Sequence, residues 1–221
     1  MVRFKVAIII PAFNEEFTIA SVVRSVKAYG VAIVVNDAST DKTKQMAENA
    51  GAILVNHKEN KGYDGALNSG FIRAEELNCN AIITFDADGQ HNSIILPEFI
   101  KHLKLGKDLV IGYRPRPARI SEWIFMIYTR TKYKWKDPLC GMKGYSIGLF
   151  QKQGYFDSYN SIGTELAFFG LLNNCTYSQI FIPISERQDK PRFSSTLLSN
   201  IKILKSLVKA IVRIKNKKRH I

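Results

Sequence analysis

'ITFDADGQH', Ile83 to His91, sets two aspartates one residue apart at the end of an apolar run. The run 'AIITF', Ala81 to Phe85, has the length and unbroken apolar character of a buried strand. A strand end is where a sheet presents polar groups to a ligand, and carboxylates so placed call for a cation. Asp86 and Asp88 offer hard oxygen donors and leave positions for water and substrate phosphate, which suits Mg²⁺ or Mn²⁺. A calcium loop fails on spacing, because the sixth residue counted from Asp86 is His91 rather than glycine and the twelfth is Pro97 rather than glutamate. Read alone, 'DADG' is also a turn with an aspartate as helix cap, so its company decides.

Outward from this stretch the first half alternates. 'FKVAIIIPA' reads as a strand, Glu15 to Tyr29 as a helix, 'VAIVVND' as a strand, Asp41 to Ala50 as a helix and 'AILVNH' as a strand. A helix over Asp64 to Leu77, the strand 'AIITFDAD', a helix over Ile94 to Leu105 and the strand 'DLVIGYR' follow. This order predicts an α/β fold with a mostly parallel central sheet, helices on both faces, and the loops after the strand ends gathered along one edge. Asp37, Asp86, Asp88 and Arg114 then share that edge.

The second half is less regular. Arg116 to Trp135 carries aromatic and basic residues without a clean period, 'DPLCGMKGYS' reads as a turn into a strand, 'GTELAFFGLLNN' as a helix, 'YSQIFIPIS' as a strand and 'ERQDKPRFSS' as a polar loop. From Thr196 to Ile214, Leu197, Ile201, Leu204, Val208 and Ile211 recur in steps of three and four, opposite Lys202, Lys205, Lys209 and Arg213. Two readings fit: a helix docked on the core with a solvated basic face, or an interfacial helix with its apolar side in lipid and lysines on anionic headgroups.

The chain has 221 residues, 46% of them hydrophobic, which suits one buried core. The division expected is a domain over 1–193 and a basic amphipathic C-terminal helix and tail over 194–221. Cys79, Cys140 and Cys175 are far apart, suggesting neither a disulfide framework nor a zinc site, and hence a reducing setting. No stretch is long and apolar enough to span a bilayer, and the N-terminus is unlike a signal peptide. A cytoplasmic protein, peripheral on the cytoplasmic face of a membrane, is expected. The net charge of +13 favours anionic partners, and no acid follows Asp189. Nucleic acid is the competing partner, as is a membrane scaffold without catalysis. No recognised nucleic-acid module is present, and the nucleic-acid reading leaves the acidic strand ends unexplained, so no nucleic acid is expected.

'IIIPAFNEE', 'VVNDASTDKT', 'NKGYDGALNSGF', 'FDADGQH', 'VIGYR' and 'DPLCGMKGY', in this order, resemble the family 2 glycosyltransferases, in the branch of dolichyl-phosphate mannose synthase and bacterial polyprenyl-phosphate glycosyltransferases. The likeness covers Lys5 to Phe193. It implies the nucleotide-diphospho-sugar transferase (GT-A) fold, a GDP- or UDP-sugar donor, Mg²⁺ or Mn²⁺, and inversion at the anomeric carbon. By this resemblance Pro11, Phe13, Glu15 and Asp37 hold the nucleoside, and Asp86 and Asp88 bind the metal with Gln90 as a further ligand. Ala87 lies against the nucleotide, Arg114 stands on the diphosphate side, and Arg187 with Arg192 or Lys190 matches a basic pair. Asn36 and Phe13 depart from the commoner aspartate and tyrosine; Asn36 removes a charge near the base, which bears on nucleotide preference.

The acceptor decides whether a base is needed. A polyprenyl (dolichyl or undecaprenyl) phosphate is already an anion, whereas a saccharide hydroxyl needs a carboxylate to take its proton. Asp137 and Glu165 match acidic positions in similar enzymes and are the candidate bases. Asp137 organising its turn and Glu165 pairing with an arginine are the structural alternatives. The basic terminal helix favours the lipid phosphate, with a sugar transferase of surface polysaccharide or glycolipid synthesis as the close second. His57, His91, His102 and His220 are dispersed and are assigned no chemistry.

Overall fold

The computed structural model describes residues 4–115, 117, 119–183 and 196–219. Its strands are β1 (Val6–Ala12), β2 (Val31–Asn36), β3 (Ile53–Asn56), β4 (Ala81–Thr84), β5 (Leu109–Tyr113), β6 (Lys143–Ser146) and β7 (Tyr177–Phe181). They form one sheet in the order β3-β2-β1-β4-β6-β5-β7. The helices are α1 (Ile19–Val26), α2 (Thr43–Asn49), α3 (Gly62–Glu76), α4 (Leu96–Lys104), α5 (Ile120–Tyr133), α6 (Ile147–Gln153), α7 (Glu165–Leu172) and α8 (Thr196–Arg219).

The central strands are covered on both faces, which is why they read as unbroken apolar runs. Alternate residues of β1 serve the two sides: Ile8 and Ile10 pack towards α1 and α4, Ala7 and Ile9 towards α3. Pairing is parallel except at β6, which runs antiparallel between β4 and β5, with Ile82 opposite Tyr145 and Val110 opposite Gly144. β1 lies between β2 and β4, so the strand order turns at this point, the place at which such sheets bind ligands.

Two elements differ from the sequence reading for a physical reason. Arg116 to Trp135 shows no period, yet α5 occupies Ile120–Tyr133. Its inward residues are Ser121, Glu122, Phe125 and Thr129, whereas Ile120 (77% exposed), Trp123 (53%), Ile124 and Ile127 face out. On α8, Ile203, Leu207 and Ala210 enter the core, while Ile201, Leu204 and Val208 of the anticipated stripe are exposed. The helix therefore docks through a different face from the one its spacing suggested. Ser121 Oγ donates to Asn200 Oδ1 and ties α5 to α8.

Candidate active site

The loops after β1 and β2 are laced together. Asn14 N donates to Ser39 Oγ (3.0 Å), Thr40 N to Asn14 Oδ1 (2.8 Å) and Glu15 N to Thr43 Oγ1 (2.7 Å). Asn14 and Ala38 take left-handed backbone angles, φ 54° and 60°, which asparagine adopts readily and alanine holds only where the surroundings over-determine it. These contacts set Phe13, half exposed, and Glu15, buried, beside the end of β2. Pro11 pairs with Val35 inside the sheet.

Asp37 is buried, and its carboxylate receives the first amides of α3, Lys61 N on Oδ1 and Gly62 N on Oδ2, each at 2.8 Å. His57 Nδ1 lies 2.6 Å from Asp37 Oδ1, and His57 Nε2 lies 2.8 Å from Ser69 Oγ. Asn36 donates to Asn56 Oδ1 at 3.1 Å and accepts from Ser39 N at 3.3 Å.

After β4, Ala87 is buried between Asp86 and Asp88. Asp86 Oδ2 lies 2.9 Å from His91 Nε2, and the Asp86 side chain is 30% exposed. Asp88 Oδ1 accepts from Gln90 N at 3.1 Å. Burial pushes the Asp86 carboxyl up, but the His91 hydrogen bond and charge, with Lys143 and Arg114, outweigh it and hold the group below the usual carboxylate range. Lys143 is itself buried, donates to Cys140 O at 2.6 Å, and is pushed down by that burial.

Among the described residues no three His, Cys, Asp or Glu groups form a ready-made metal cage. Two carboxylates and an amide oxygen, from Asp86, Asp88 and Gln90, are a donor set that fits Mg²⁺ or Mn²⁺, which keep water and take substrate phosphate as remaining ligands.

Arg114 follows β5 and is held bidentately by Asp137, with Nε to Oδ2 at 2.6 Å and Nη2 to Oδ1 at 3.1 Å, and by Glu122 Oε2 at 3.1 Å. Burial opposes its charge, but the Asp137 hydrogen bond and charge prevail and raise its pKa. Asp137 Oδ1 also accepts from Leu139 N at 3.2 Å, organising its turn. Glu165 accepts from Ser158 N at 2.6 Å and pairs with Arg213 at 2.8 Å. Both carboxylates named as candidate bases are thus engaged by arginines. Arg187, Lys190 and Arg192 lie outside the described residues. Asp37, Asp86, Asp88 and Arg114 stand at one edge of the sheet, as the strand order requires, and Glu165 opens α7. His57 and His91, set aside in the sequence, each contact one of these acids; the available signal was their position in the loops that follow β3 and β4.

An open sheet with one antiparallel strand, a turn in strand order beside β1 and acids at the strand ends has the architecture of the nucleotide-diphospho-sugar transferases. Residues 7–159 match the family described as Glycosyl transferase family 2, and the chain belongs to that family of sugar-transferring enzymes. An uncharacterized protein of Methanocaldococcus jannaschii is 33% identical over 163 residues, 67% of each chain. The UDP-N-acetylglucosamine–dolichyl-phosphate N-acetylglucosaminyltransferase of Methanococcus voltae is 34% identical over 127 residues, which span 48% of this chain and 51% of that protein. The dolichol-phosphate mannosyltransferase of Pyrococcus furiosus is 28% identical over 132 residues, 55% of this chain and 36% of that protein. Among solved structures, glucosyl-3-phosphoglycerate synthase from Mycobacterium tuberculosis, in complex with Mn²⁺, UDP and glucosyl-3-phosphoglycerate, superposes with a TM-score of 0.76 at 19% identity. That match covers 94% of this chain and 80% of the other.

Proposed function

We propose that the protein is a metal-dependent inverting transferase that moves a sugar from a nucleotide-diphospho-sugar to a polyprenyl phosphate at a membrane surface. Phe13, Glu15 and Asp37 receive the nucleoside, with Pro11 and Ala87 as walls. Asp86 and Asp88, with Gln90, hold Mg²⁺ or Mn²⁺, which when bound neutralises charge on the departing diphosphate. The positive charge of Arg114, and of Arg187 with Arg192 or Lys190, supports the same leaving group.

The observation that carries the acceptor is the outward apolar face of two packed helices. Ile120, Trp123, Ile124 and Ile127 on α5, and Leu198, Ile201, Leu204, Val208 and Val212 on α8, are exposed beside the exposed lysines Lys205 and Lys209. No helix among the described residues is long and apolar enough to cross a membrane. Such a surface suits lying in the interface of an anionic bilayer, where a polyprenyl phosphate resides. A phosphate oxygen of that acceptor bonds the anomeric carbon as the bond to the nucleoside diphosphate breaks, and no proton has to move. The engagement of Asp137 by Arg114 and of Glu165 by Arg213 accords with a reaction that needs no base.

The test is transfer from UDP- and GDP-sugars to undecaprenyl phosphate in anionic vesicles by the wild type, Asp137→Asn and Glu165→Gln. Per folded enzyme, both variants are expected to retain transfer within about tenfold, since general-base loss typically costs 10²–10⁴-fold. Abolished turnover with intact donor binding points instead to a saccharide hydroxyl acceptor.

A further inference from the structure

We propose that His91 is a positioning residue which, together with Gly141, clamps Asp86 in the orientation that receives the metal; this rests on the metal reading above. The His91 side chain is 5% exposed and its Nε2 lies 2.9 Å from Asp86 Oδ2. Its Nδ1 is buried without a hydrogen-bond partner among the described residues, so the contact to Asp86 is the hydrogen bond that orients the ring. Phe85 meets that ring edge-on with centroids 5.7 Å apart, which fixes its plane. An Nε2–H donated to Oδ2 leaves Oδ1 with its lone pairs for a cation.

Backbone also crowds the carboxylate, at Gly141. A Cβ built on Gly141 would stand 2.3 Å from Asp86 Oδ2 and 2.7 Å from Oδ1, so Asp86 occupies the space of the missing side chain. Gly141 cannot retreat freely, because Thr84 Oγ1 donates to its carbonyl oxygen and accepts from Lys143 N at 3.0 Å. The His91 ring and the backbone at Gly141, tied to β4 through Thr84, therefore both restrict the Asp86 carboxylate. Outer partners that orient a metal-bound group typically contribute ten- to a hundredfold in metal affinity.

The experiment measures Mn²⁺ affinity directly by electron paramagnetic resonance, with and without UDP or GDP, on the full chain. His91→Leu and His91→Gln have similar bulk and differ in the hydrogen-bond donor. The Leu variant is expected to weaken Mn²⁺ binding at least tenfold, and the Gln variant to stay within about threefold of the wild type. Gly141→Ala, whose methyl group enters the carboxylate, is expected to match the Leu variant and supplies the answer if His91→Leu does not fold. Equal Mn²⁺ affinity in wild type, His91→Leu and Gly141→Ala overturns the clamp while leaving the metal site intact. Absence of Mn²⁺ binding in the wild type overturns the metal reading and the clamp with it.

Discussion

Asp137 and Arg114 show how far single side chains are committed to each other. The guanidinium and carboxylate side chains are 17% and 9% exposed, and they meet bidentately. Removing one partner strands the other charge in a poorly solvated place. Asp137→Ala is expected to destabilise the fold by about 3 kcal/mol in urea unfolding, and a loss under about 1 kcal/mol would show the pair to be effectively solvated. Asp64 makes the complementary case. Its carboxylate accepts from Ile162 N and Gly163 N at 3.0 and 2.6 Å, yet burial and the nearby Asp157 push its pKa up to about 6. A carboxyl raised in this way holds in the folded state a proton that the unfolded chain releases near its ordinary value of about 3.9. Its contribution to stability is therefore most favourable below about pH 4, falls between about 4 and 6, and is flat above. A separation of roughly two pH units is on the order of 3 kcal/mol at most. The difference in unfolding free energy between wild type and Asp64→Asn should shift against the wild type across that window; a difference independent of pH contradicts it.

At the level of elements, the sequence speaks clearly where burial and apolar character coincide. β1, β2 and β4 announce themselves because both faces of the sheet are covered. α5 is silent because its buried side carries Ser121, Glu122 and Thr129 while its isoleucines and Trp123 face outward, so hydrophobic periodicity points the wrong way. The direction of β6 was equally illegible, since antiparallel insertion between β4 and β5 leaves no mark on a four-residue strand. The acids at the strand ends were legible from position alone, whereas the engagement of Asp37, Asp86, Asp137 and Glu165 depends on partners up to 48 residues away. Helix α3 shows the tolerance of such packing. A Cβ on Gly70 would stand 2.4 Å from Ile9 Cγ2, in the seam between α3 and β1. Gly70→Ala is expected to cost about 1–3 kcal/mol by overpacking, read as a lowered urea midpoint; an unchanged midpoint would mean the helix shifts freely.

The molecule as a whole combines an acidic edge with a basic, apolar flank. The outward rows of α5 and α8 are contributed by two helices far apart in sequence and joined at Ser121 and Asn200, so neither row alone discloses the surface. Binding to anionic vesicles is expected to weaken as salt rises, because the lysines act through screened charge. Trp123→Ala combined with Val208→Asp should reduce it at least tenfold, as about 2 kcal/mol of apolar burial is lost with the large side chains. Retention unchanged by that double variant would show that these two rows make no contact with the vesicle.

On the function proposed above, the aspartates after β4 hold the cation which carries a sugar nucleotide's diphosphate. Calorimetric titration with UDP, GDP and their sugars, with and without Mn²⁺, on wild type and Asp88→Ala tests it most directly. Mn²⁺-dependent binding of one nucleotide, weakened at least tenfold in the variant, is the expected result. Nucleotide binding indifferent to Mn²⁺ and to Asp88→Ala, or no binding at all, would contradict it.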